Sequence, residues 1–282
     1  MAGIGVRLNK IFGKNTLTTN MIGFFYSTLV TVAPMFAIII NLVLMEYFLK
    51  FSTLGYAQRE LFSCTILYTF IFSLLTASPF NAVLSRYISD VIYEERYQDI
   101  LPCYHIGMVL NIALSCLVGI PFCLWEHFIG GVSVAYVFAG FWCYSSLVLV
   151  FYSMIYLSIC KDYQRIAQYY GIGMLVAFFL SLFFRYILHW GITQSMLAAM
   201  DAGFFLTAVL ENALIKRYFR KNSNRYKPVL AYFKKYWQLV VTNFLYILGL
   251  YVHNFVFWTT DMKMVVVDSF VCNQPYDMAS CL

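Results

Sequence analysis

Seven long apolar runs, separated by short polar breaks, organise the chain: residues 21–45, 61–84, 103–125, 132–159, 166–188, 193–215 and 236–258. A hydrocarbon core of about 30 Å is crossed by roughly 20 mostly apolar helical residues, so each run is long enough to span. Lipid offers no partner to backbone N–H and C=O groups, which makes helix the expected state of every run. The runs are continuous rather than alternating, which argues against a transmembrane β-barrel. Tyr47, Tyr56, Trp125, Trp190, Tyr236, Trp237 and Trp258 fall near predicted ends, where aromatic belts sit. The first run is too long for a signal peptide, and no small-residue cleavage site follows it.

Composition agrees with this pattern. Of the 282 residues, 62% are hydrophobic and 11% charged, and the mean hydropathy is +0.73. A soluble domain carries about a quarter charged residues. Disorder, a soluble enzyme, a nucleic-acid-binding domain and a disulfide-stapled secreted module are thereby excluded. The expectation is an all-α fold, a polytopic transmembrane helical bundle of seven helices.

The +6 net charge reads as topology, not nucleic-acid binding. With the N-terminus inside, Arg7, Lys10, Lys14, Arg86, Arg96, Lys161, Arg165, Lys216, Arg217, Arg220, Lys221, Arg225, Lys227, Lys234 and Lys235 all fall on the cytoplasmic side. Only Lys50, Arg59, Arg185 and Lys263 fall outside. That asymmetry orients the bundle.

Two loops are long. Residues 85–102, SRYISDVIYEERYQDILP, mix apolar and charged positions and predict a helix lying along the cytoplasmic surface. Residues 216–235 carry eight basic residues and separate six helices from the seventh. The predicted organisation is a basic amphipathic N-terminus (1–20), a six-helix lobe (21–215), a basic cytoplasmic linker (216–235), and a seventh helix with an outer loop (236–282). Six short-looped helices followed by a long linker suggest one lobe of a two-lobed transporter, the seventh helix opening a second. The eight cysteines show no CxxC pair and no zinc spacing, so no metal site is expected. Cys272 and Cys281 fall outside on this topology, and sequence does not decide whether they bridge.

Specific stretches carry a resemblance. MAGIGVRLNKIFGKN (1–15), SPFNAVLSRYISDVIYEERYQDILP (78–102), NFLYILGLYVHNFVFW (243–258) and CNQPYDMASCL (272–282) resemble the opening, the second helix with its cytoplasmic segment, the seventh helix and the following loop of the PelG family. These are inner-membrane exporters of Pel-type exopolysaccharide, within the superfamily of multidrug, oligosaccharidyl-lipid and polysaccharide flippases. The resemblance implies two lobes of six helices around a central cavity, of which this chain is expected to carry the N-terminal part. It further implies a polysaccharide substrate, a cytoplasmic glycosyltransferase and other membrane subunits as partners, and the bacterial cytoplasmic membrane as location.

Ionisable groups inside spans are costly and mark candidate sites. Arg185, near the outer end of the fifth helix, is expected to pair with Asp201 in the sixth. Glu211 lies near the cytoplasmic end of the sixth helix, where it either snorkels or lines a transport path. Asn111 and His253 are further intramembrane polar candidates, and Glu46 caps the outer end of the first helix. Pro34, Pro79 and Pro121 are expected to bend the first three helices. Tyr26, Phe36, Tyr68, Tyr144 and Tyr152 are candidates for stacking on sugar rings. There is no GxSxG, HExxH or GxxxxGK[ST] motif, hence no catalytic constellation and no ATP site, and no cofactor is expected.

Three function classes compete. The leading one is a flippase-like carrier for exopolysaccharide. A seven-helix receptor or retinal protein is opposed by the inside N-terminus and by the absence of Lys from 236–258. A non-transporting scaffold that docks a cytoplasmic glycosyltransferase is the third.

Overall fold

The apolar runs form helices that outlast their apolar cores. The computed structural model describes residues 17–160, 162–266, 269–273 and 275–277. Among them the helices are α1 (Leu17–Phe48), α2 (Tyr56–Tyr93), α3 (Ile100–Phe128), α4 (Val134–Ile159), α5 (Tyr163–Tyr186), α6 (Ile192–Tyr218), α7 (Lys227–Lys235) and α8 (Trp237–Phe257). Six of the helical stretches are long and apolar enough to cross a membrane, and a shorter apolar stretch, Val32–Phe48, belongs to α1. The first sixteen residues of the expected basic N-terminus, Lys161, the Tyr26 ring, Cys281 and Leu282 lie outside the described residues.

Helix α6 sits at the centre, packed on α4 on one side and α5 on the other. Helix α1 lies on α5, α3 on α4, and α2 bridges α4 to α8. The α5–α6 contact is closest where two glycines meet. A Cβ on Gly203 would lie 2.7 Å from the Gly173 carbonyl oxygen and 2.8 Å from Ala177 Cβ. Small residues at such a crossing let two backbones approach, the usual basis of helix association in lipid.

Pro34, Pro79 and Pro121 all lie inside helices. Pro79 has no N–H to offer the Leu75 carbonyl, and the Ser78 hydroxyl donates to that oxygen instead, at 3.1 Å. Asn243 of α8 donates to the neighbouring Ser78 carbonyl, tying α8 to α2 at the proline.

The segment 85–102 is not a separate surface helix. Its first nine residues continue α2, and a single 3-10 turn (Tyr97–Asp99) leads into α3. The reason lies in its apolar spacing. Val83, Leu84, Tyr87, Ile88 and Val91 extend the buried stripe of α2 without a break. Arg96 closes the turn, binding Glu94 at 2.6 Å and Asp99 at 2.7 Å.

Within the basic linker, α7 docks on this extension. Val229 is fully buried, and the Tyr232 and Tyr87 rings meet edge-on at 4.9 Å. The Tyr232 hydroxyl donates to Asp90, a bond that, together with burial, pushes its phenol up to about 12. Beyond α8, strands β1 (Met264–Val266) and β2 (Phe270–Cys272) form an antiparallel hairpin with Val265 opposite Val271. The all-α class stands, with this small hairpin added.

Candidate functional site

Glu211 belongs to the buried stripe of α6. Gly203, Thr207 and Glu211 recur at intervals of four, so helical geometry stacks them on one face. That face is the one α6 turns into the bundle, and Glu211 has no exposed surface. Neither carboxyl oxygen has a hydrogen-bond partner among the described residues. The phenols within its electrostatic reach are Tyr104 of α3 and Tyr170 of α5. Both direct their hydroxyls elsewhere: Tyr104 shares a hydrogen bond with Ser153 at 3.1 Å, and Tyr170 donates to the Met154 sulfur at 3.2 Å.

A polar cluster continues from there. Tyr152 donates to the Tyr104 carbonyl at 2.8 Å and to the Tyr156 hydroxyl at 2.9 Å, and Tyr156 contacts Cys103 at 3.5 Å. Tyr104, Tyr152 and Tyr156 are fully buried. A side chain at Gly107 would strike the Leu84 methyl, 2.6 Å away, and the Tyr152 ring. The cluster is therefore packed without slack, and Glu211 is the member left unsatisfied.

The Arg185–Asp201 pair does not form. Arg185 donates to the Trp190 carbonyl at 2.9 Å. Asp201 accepts from Ser146 of α4 at 2.8 Å. Axial depth explains the separation. Arg185 is in the last turn of α5, whereas Asp201 is nine residues into α6, about 14 Å from its start at 1.5 Å per residue. An arginine side chain is shorter than that gap, and the nearby carbonyl satisfies it.

The remaining candidates are scattered. Asn111 is buried and donates to its own helix at the Gly107 carbonyl, 2.8 Å away, leaving its Oδ1 unpartnered. The His253 ring stands edge-on to Tyr276 at 5.5 Å, with Nδ1 unpartnered among the described residues. Glu46 is exposed.

A second feature escaped the sequence reading. Between the first half of α2, the second half of α3 and the first half of α4 lies a cavity of about 300 Å³. Tyr68, Phe72, Phe122, Tyr136, Phe141 and Tyr144 supply much of its wall, and Glu126 is its carboxylate. Glu126 accepts from Ser269 through one oxygen; the other has no partner among the described residues. Tyr68 and Tyr144 thus line one cavity, whereas Tyr152 is packed away and Phe36 is exposed. Glu126 sits five residues after Pro121, next to Trp125 at a predicted interface, where a carboxylate ordinarily meets water. That context hid it.

At the opposite end, Arg217, Arg220 and Lys221 rim a cavity of about 510 Å³ beside Tyr97 and Gln98. A family model matches residues 1–282, the whole chain: PelG, described as "Putative exopolysaccharide Exporter (EPS-E)". No curated protein and no solved structure matches.

Proposed function

Because the chain belongs to the PelG family of exopolysaccharide exporters, a transporter-type family, we propose that it works as a flippase-like carrier in the bacterial cytoplasmic membrane, moving polysaccharide outward. The N-terminus is inside, as the basic residues of the loops require. Export is thus assigned to the family, and the carrier mechanism is our reading.

The observation that carries it is Glu211. Burying an acidic side chain in a spanning helix without a partner is costly, and Glu211 is fully buried and unpartnered among the described residues although it lies seven residues from the end of α6. A lobe that served only as scaffold gains nothing from that cost, and glutamine or leucine would fill the space. A carrier does gain, because an unpartnered carboxyl takes up a proton or a cationic group and gives it back as the surroundings change. Asp201, held by one serine, is the other carboxyl on α6.

The test is export by the complete system with Glu211→Gln, which keeps the volume and removes the charge. Protein abundance is expected to match wild type while export falls at least tenfold. Wild-type export by Glu211→Gln would remove the carboxylate from the mechanism and leave the scaffold reading, which the basic cytoplasmic rim at Arg217, Arg220 and Lys221 favours as a dock for a glycosyltransferase.

A further inference from the structure

The hairpin is pinned to α2 by more than packing. The Tyr68 hydroxyl donates to the Val271 carbonyl at 2.5 Å, and the Val271 N–H donates back to the same hydroxyl at 3.2 Å. Cys64 lies one helical turn before Tyr68 and so faces the same way. Cys272 follows Val271 in β2. The two cysteines share a buried apolar cluster with Val266 and Phe270, each only 3% exposed. Both are thiols, within hydrogen-bonding reach of one another.

We propose that Cys64 and Cys272 are joined by a disulfide bond in the mature protein, stapling the outer hairpin to α2. The proposal rests on the topology above, which puts both sulfurs on the oxidising side of the membrane. Compartment decides the fate of such a pair, since disulfides persist outside the cytosol and are reduced within it. The oxidant is a disulfide-bearing thiol oxidoreductase of the extracytoplasmic space. The Cys272 thiolate attacks one sulfur of that disulfide, forming a mixed disulfide and expelling the other sulfur as thiolate. The Cys64 sulfur, its proton released to water, then attacks Cys272 Sγ and expels the second. Two protein thiols lose two electrons and two protons, and the oxidant leaves as a dithiol. Exchange occurs as the hairpin settles, before burial closes over both sulfurs. The ring encloses 207 intervening residues, and longer loops lose more unfolded-state entropy on closure.

The test uses wild-type protein from intact cells. Cells are quenched in acid and denatured, free thiols are blocked with N-ethylmaleimide, and the non-reduced digest is read by mass spectrometry. A peptide pair linking Cys64 to Cys272 is expected, disappearing on reduction. In parallel, a maleimide–polyethylene glycol added after reduction is expected to mark two of the eight cysteines, and none in Cys64→Ala or Cys272→Ala. Both sulfurs alkylated before reduction would overturn the proposal. A control separates the failures: a single cysteine at position 262 (Met262→Cys) is probed with an impermeant maleimide in intact cells. Label from outside with no linked peptide refutes the disulfide and spares the topology. No label and no linked peptide refutes both, even if copper phenanthroline later joins the pair in isolated membranes.

Discussion

A buried polar side chain in a membrane protein takes the nearest partner that its depth along the helix allows. Asp201 is held by Ser146 and Arg185 by a carbonyl five residues on, so the two are energetically independent. Arg185→Ala and Asp201→Ala are expected to be additive in thermal stability in detergent, to within about 0.5 kcal/mol, whereas Ser146→Ala with Asp201→Ala is not. A double variant at 185 and 201 more stable than the single Asp201→Ala would restore the direct pair. The sequence exposes both residues as charges inside spans, but spacing alone does not fix depth. Glu211 is legible as intramembrane yet not as unpartnered, because that depends on where Tyr104 and Tyr170 aim their hydroxyls, a property of two other helices. Glu126 stayed hidden behind its interfacial surroundings.

At the scale of elements, the glycine crossing sets how closely α5 and α6 pack. Gly203→Leu would drive its side chain into the Gly173 carbonyl, and is expected to cost about 1–3 kcal/mol as overpacking, read as a lower melting temperature and less monodisperse protein on size-exclusion chromatography. Gly171, with nothing within 4 Å of its missing Cβ, is the control: Gly171→Ala is expected to be neutral or mildly stabilising. The apolar runs announce the long helices because burial in lipid leaves the backbone one choice. They do not announce ends. Residues 85–93 read as a surface helix since their charges are plain in sequence, while the cover supplied by α7, more than 130 residues later, is not. The hairpin is equally silent: strands of three residues give too little alternation to detect, and a helix has to receive them.

For the whole molecule, orientation is the decisive property, and it comes from charge alone. A phosphatase reporter inserted after Met262 is expected to be active and a fluorescent protein at the same site dark; the opposite pattern would invert the bundle and place Arg217, Arg220 and Lys221 outside. Family membership spans the chain from end to end, so the carrier reading stands or falls with how this bundle moves. There the setting of Asn41 matters. Its amide on α1 reaches the sulfurs of Met174 on α5 and Met200 on α6 at 3.5 and 3.4 Å, besides Met45 on its own helix at 3.9 Å. Thioethers are weak, soft acceptors on flexible stems, unlike carbonyl or carboxylate oxygens. A donor among three of them has interchangeable weak acceptors rather than one strong one. Asn41 therefore ties α1 to the α5–α6 pair, which the glycines hold close, by weak bonds alone, so it opposes a shift of α1 less than a carbonyl or carboxylate partner would.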